Sequence, residues 1–201
     1  MNRIILLILV LFSVFYTWSQ SASISKIESQ LICADSLFVA QEYNNVIKLL
    51  LPLEETLPMV EEGQNLNSNY YSLLSMSYFY TKDFVKSVQY MGKRALYNQY
   101  DLDDLIFAAN VSIKELGDYN KTNLYARRAL IKYYGCPFFE KNVNLNNIGR
   151  LLYLLGLSYV DSRSLFMAKE CLNIHSSLNL EEQSELNQDL TGCIEFIDTS
   201  D

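Results

Sequence analysis

Few side chains in this 201-residue sequence are of types that do chemistry, and their spacing limits what they can do. His175 is the single histidine, which argues against a His-based metal cluster and against Ser–His or Cys–His catalysis; it reads as a structural or exposed residue more readily than as a base. The four cysteines, Cys33, Cys136, Cys171 and Cys193, show no CxxC spacing, so the common structural zinc arrangement is missing. Cys171 and Cys193 fall on adjacent expected helices and form a candidate disulfide; the competing reading is buried free thiols acting as small hydrophobes. Neighbouring carboxylates occur at Glu54-Glu55, Glu61-Glu62, Asp103-Asp104 and Glu181-Glu182, in expected loops or at helix starts. There they read as solvated groups or as favourable partners of helix N-termini, not as an acid/base pair. The seven glycines form neither GxGxxG nor GxxxxGK[ST], so the usual phosphate cradle is absent. Net charge is −7, which argues against nucleic acid, because phosphate binding needs a basic stripe. We therefore expect no enzyme activity, no metal and no cofactor.

The elements around these residues are easier to read. Met1-Asn2-Arg3 opens the chain with a positive charge, and Ile4 to Tyr16 is apolar except for Ser13. That run is short for a membrane span, which needs about 20 apolar residues, and fits a secretory leader followed by small residues. Residues 1–19 are expected to be a signal peptide, with cleavage after Ser19 or after Ala22. The alternative is an uncleaved anchor, since Trp18 lengthens the run. Asn- and Tyr-rich, Ala-poor usage behind such a leader fits an exported protein of a bacterial envelope, periplasmic or extracellular.

From Ile24 onward, apolar residues recur at spacings of three and four, as in Leu31, Ala34, Leu37 and Phe38, or Tyr71, Leu74, Tyr78 and Phe79. This predicts amphipathic helices. The stripes are separated by short polar turns that end on Tyr43, Phe84, Tyr119 and Leu165, at intervals of 41, 35 and 46 residues. Four such turns predict four helical hairpins. Leu180 to Ile197 is expected to be a further helix covering the open end.

Aligned on those turns, the units share a pattern. The clearest runs Leu152-Tyr153-Leu154-Leu155-Gly156-Leu157-Ser158-Tyr159, then Ala168 and Leu172. The second offers Tyr71, Leu74-Ser75, Tyr78, Phe84 and Met91. The third offers Ile106, Ala109-Asn110, Ile113 and Ala126, and the first Ala34, Leu37, Tyr43 and Pro58. In this the chain, over residues 24–179, resembles the tetratricopeptide repeat (TPR) family. Two departures stand out: Asn110 occupies a slot where a small residue lets helices touch, and Arg94 occupies another. The resemblance implies an all-α, right-handed α-solenoid of about four hairpins with a C-terminal capping helix, filling residues 24–201 as one repeat domain.

It also implies that the first helix of each hairpin lines an inner groove. The candidate groove residues are Leu31, Asp35 and Phe38; Ser72, Met76 and Phe79; Phe107, Val111 and Lys114; and Tyr153, Leu157 and Val160. They are mainly apolar and aromatic, so the carboxylate clamp of some family members is not implied. An apolar trough suits a protein or peptide partner. The expected function is a non-enzymatic exported scaffold or adaptor. The alternatives are a membrane-anchored assembly subunit, touching the membrane only through an uncleaved leader, and a cryptic helical enzyme.

Overall fold

Each of the four short turns closes on a left-handed residue. Gln41, Lys82, Gly117 and Arg163 adopt left-handed backbone, with φ of 61°, 64°, 60° and 54°. In the first, second and fourth turns the next amide donates to a carbonyl five residues back, Glu42 to Leu37, Asp83 to Tyr78 and Ser164 to Tyr159, at 2.8–2.9 Å. This is the Schellman closure, which ends one helix and aims the chain back along it. The third turn is one residue longer: the Asp118 amide reaches the Ser112 carbonyl at 2.8 Å. The following helix then starts at once, and Asp83 and Asp118 accept from the amides of Lys86 (3.2 Å) and Lys121 (2.9 Å) as N-terminal caps.

The protein, a computed structural model describing residues 24–57, 64–97, 102–135, 145–178 and 184–199, is all-helical among those residues. The expected leader, Pro58, Cys136 and the Glu61-Glu62 and Glu181-Glu182 pairs lie outside them. The helices are α1 (24–39), α2 (Tyr43–Leu50), α3 (Gln64–Tyr80), α4 (Phe84–Tyr97), α5 (Asp103–Lys114), α6 (Tyr119–Gly135), α7 (Leu145–Asp161), α8 (Leu165–Ser177) and α9 (Ser184–Asp198). A 3-10 segment, Leu51–Thr56, follows α2, with Pro52 near its start. Helices pack on their neighbours in sequence; α5 also meets α7, and α9 lies against both α7 and α8.

Three apolar clusters hold these contacts. Ile27, Leu31 and Ala34 of α1 join Val46, Leu50, Tyr70 and Leu74 at one end. Val88, Met91, Ala108, Tyr125, Leu151 and Leu154 are among the residues of the middle cluster, which spans α4 to α8. Val160, Ala168, Leu190 and Ile194 close the other end. Small residues sit where the helices touch. The buried Ser75 hydroxyl lies 2.9 Å from the Ser87 carbonyl across the α3–α4 hairpin, and Thr122 Oγ1 is 3.4 Å from the Ala109 carbonyl across α5–α6.

Both sequence departures have a structural reason. Ala109 is fully buried and takes the small-residue position of the third hairpin, because the longer turn shifts its register by one. Asn110 is thereby released to the other side of α5. Arg94 is not crowding a tight contact; its guanidinium pairs with the buried Asp104 at 2.6 Å, joining α4 to the start of α5. Asp104 is therefore not the solvated carboxylate expected from its place at a helix start.

Candidate functional site

The residues expected to form one groove are divided among three settings. Leu31 is buried in the N-terminal cluster, while Phe38 is half-buried between Tyr43 and Tyr80, with ring centroids 5.2 and 5.9 Å away. Asp35 is exposed and Ser72 half-buried. At the other end, Tyr153, Leu157 and Val160 pack beneath α9, where the Tyr153 hydroxyl donates to Asp189 at 2.5 Å. Burial and that hydrogen bond raise the Tyr153 pKa above the ordinary phenol range.

The middle of the expected groove is assembled. Phe79 of α3 and Phe107 of α5 meet edge to face, with centroids 5.4 Å apart, and Phe79 also meets Phe84 at 5.6 Å. Both rings, with Met76, are half-buried against the middle cluster. Beside them is a cavity of about 400 Å³ lined from α3, α5 and α7. Val111 forms part of its wall and is itself buried, and exposed Lys114 stands at its edge.

Five polar residues of this cavity, Asp103, Asn110, Glu115, Asn147 and Arg150, were not singled out as groove residues in the sequence. Arg150 of α7 donates through Nε and Nη2 to Asn110 Oδ1 at 3.3 and 3.2 Å. Asn147 donates to Asp103 at 3.2 Å, so two polar links tie α7 to α5 around the opening. The Asn110 carboxamide is itself held by its amide donating to the Ile106 carbonyl at 2.8 Å. Lys114 and Arg150 make no ion pair among the described residues. The trough is thus not purely apolar: a pair of aromatic rings shares it with two cations, Lys114 and Arg150, and two carboxylates, Asp103 and Glu115. The signal for Arg150 and Asn147 was weak, because they lie seven and ten residues before Leu157, on the first two turns of a helix that otherwise reads as core.

Elsewhere, several chemically capable groups are occupied or sealed, whereas Cys33 is an exposed free thiol. Glu54 accepts from the Tyr90 hydroxyl at 3.0 Å and pairs with Lys93, whose ammonium lies over the Tyr90 and Tyr71 rings at 5.0 and 5.8 Å. His175 is buried on α8. Cys171 and Cys193 are free thiols, not a disulfide: Cys171 is buried in the middle cluster, and Cys193 is half-buried against the terminal one. Burial pushes the Cys171 pKa up to about 11 and raises that of Cys193. Among the described residues, no three His, Cys, Asp or Glu side chains gather as a metal site, and no helix is long and apolar enough to cross a membrane. No protein-family model matches this sequence, and no curated protein matches it significantly.

Proposed function

We propose that this chain is a TPR-like right-handed solenoid that serves as an exported, non-enzymatic scaffold, binding a protein or peptide segment on the face formed by α3, α5 and α7. The observation that carries this reading is the cavity of about 400 Å³ where Phe79 and Phe107 stand beside Lys114 and Arg150. Rings in partial contact with a core are positioned without being used up by it, and such anchors commonly dominate peptide interfaces. The lining carries both signs, Lys114 and Arg150 beside Asp103 and Glu115, so the rings supply the affinity and the polar rim orients the bound segment. Support for the repeat architecture comes from the four turns closed by a left-handed residue and from helices packed in chain order.

The test is capture of partners from envelope extracts by wild type and by Phe107→Ala and Arg150→Ala. Phe107→Ala should weaken capture about thirty-fold, the equivalent of about 2 kcal/mol. Arg150→Ala leaves the core intact, so it should reduce capture with the denaturation midpoint unchanged. Capture that follows only the folded fraction in both variants would remove this face from consideration.

A further inference from the structure

The even-numbered helices α4 and α6 carry a surface of opposite character to the chain as a whole. The protein has a net charge of −7, yet neither helix contains an acidic residue. Between them they hold Lys86, Lys93, Arg94, Lys121, Arg127, Arg128 and Lys132. Four of these are matched by acids from adjoining segments: Lys86 by Asp83, Lys93 by Glu54, Arg94 by Asp104 and Lys121 by Asp118. Lys132 reaches back to the Ala95 carbonyl at 3.4 Å. Arg127 and Arg128 are exposed and make no ion pair among the described residues, so the surplus positive charge is concentrated on the outer side of α6.

Large apolar side chains stand among these cations. Val85 and Leu96 on α4 are 55% and 66% exposed; Leu124, Ile131 and Tyr134 on α6 are 45%, 66% and 72% exposed. Leu124, Arg127, Arg128, Ile131 and Tyr134 follow one another at steps of one or three residues and share one helical face. A groove of about 480 Å³ runs between the helices, where Gly92 lets the Tyr125 ring approach; a Cβ there would lie 2.9 Å from its hydroxyl. Val85, Leu96 and Arg128 line that groove, but Leu124, Ile131 and Tyr134 do not.

A peptide seated in the groove would leave those three α6 side chains in water. A broad anionic layer covers them all. We infer that the α4–α6 face docks on the surface of a bilayer containing anionic lipid, with Arg127 and Arg128 among the headgroups and Ile131, Tyr134 and Leu96 at the boundary of the acyl region. The chemistry is that of interfacial helices, in which cations draw the protein to the surface and neighbouring apolar side chains enter it. This surface is separate from the α3–α5–α7 cavity, so a peripheral scaffold keeps that cavity open to a partner.

The experiment is co-sedimentation of the full chain with phosphatidylcholine vesicles, with and without about one-third phosphatidylglycerol. Residues 1–23 are common to every variant, so whatever they contribute cancels. Wild type should partition to the anionic vesicles much more strongly than to the neutral ones, and less as salt rises. Arg127→Glu with Arg128→Glu should reduce anionic partition about thirty-fold or more, since each removed cation near such a surface is worth several-fold. Ile131→Ser with Tyr134→Ser should reduce it about ten-fold at every salt concentration. All four positions are exposed or outward-facing, so unchanged circular dichroism and denaturation midpoints are expected. Equal partition to both vesicle types, or variants that partition like wild type, would overturn the inference. So would an absence of vesicle binding combined with Arg127- and Arg128-dependent binding to poly-glutamate, which would make the face an acidic-protein site.

Discussion

At the scale of single residues, the turns and one buried ion pair are the informative places. Three turns hold Gln41, Lys82 and Arg163 in left-handed backbone that strains a residue with a Cβ, and the remaining one uses Gly117. Lys82→Gly should therefore raise stability by about 0.5–1 kcal/mol, the relief of strain exceeding the greater unfolded-state freedom of glycine. Gly117→Ala, which meets no atom within 4 Å but must keep φ near 60°, should cost about 1 kcal/mol. Urea midpoints moving in opposite directions would verify both. The Arg94–Asp104 pair is a different kind of contact. Asp104 is only 2% exposed, so removing Arg94 leaves a buried carboxylate without its guanidinium. Arg94→Ala should cost about 3–5 kcal/mol, while Arg94→Met with Asp104→Leu should recover most of that loss, because the apolar pair needs no desolvation of charge.

At the scale of elements, the contact that matters most is between α7 and α9. Gly156 reads in the sequence as the point where α7 and α8 approach, yet a Cβ there would lie 2.6 Å from a Leu190 methyl carbon of α9. Leu190 is fully buried. Gly156→Leu should displace α9 rather than open the α7–α8 hairpin, at a cost of about 1–3 kcal/mol. Leu190→Ala should cost about 2–5 kcal/mol alone. The two should be strongly non-additive, since the smaller side chain at 190 makes room for the larger one at 156. Independent, additive denaturation energies would mean the two residues do not touch. Tyr159 is only half-buried, so its truncation is a weaker probe of packing than truncation of fully buried Tyr70.

At the scale of the whole molecule, tyrosines brace the second hairpin internally and tie it to the first. Tyr78 stacks on Tyr90 with centroids 5.5 Å apart, and Tyr71 on Tyr97 at 5.6 Å. The Tyr70 hydroxyl donates to the Leu50 carbonyl at 3.1 Å. Burial, followed by other charges such as Glu54, raises the pKa of Tyr70 and Tyr90; burial likewise pushes Tyr71 up to about 12. A group raised above its unfolded value of about 10 stabilises the fold fully below that pH, and the contribution disappears as pH rises through the folded pKa. Stability should therefore fall above about pH 10. Tyrosinate absorbance should rise in two stages: exposed tyrosines first, then the buried group together with loss of helical circular dichroism. The opposite sign holds at Asp118, whose pKa is lowered, first by the Lys121 amide bond. Its contribution is present above about pH 4 and is lost as pH falls further.

How much of this was legible follows from the range of the forces involved. Helix and turn positions depend on residues within one or two turns of each other. Spacing alone therefore placed the hairpin turns before Tyr43, Phe84, Tyr119 and Leu165, while it was the family resemblance that put Phe79 and Phe107, whose rings meet, on consecutive first helices. Register across helices depends on contacts far apart in sequence. One extra residue in the Gly117 turn moved Ala109 into the small-residue position and turned Asn110 toward Arg150, which no local pattern encodes. Packing also decided which candidate groove residues were spent: Leu31 and Val111 went into the core, and α9 covered Tyr153 and Val160. Residue types determined by themselves that the chain folds as amphipathic helices joined by tight turns, because burying periodic apolar stripes has few solutions. Only the tertiary structure decided that the cations of α4 and α6 stand among exposed apolar side chains, because exposure is a property of what packs nearby and not of the residue itself.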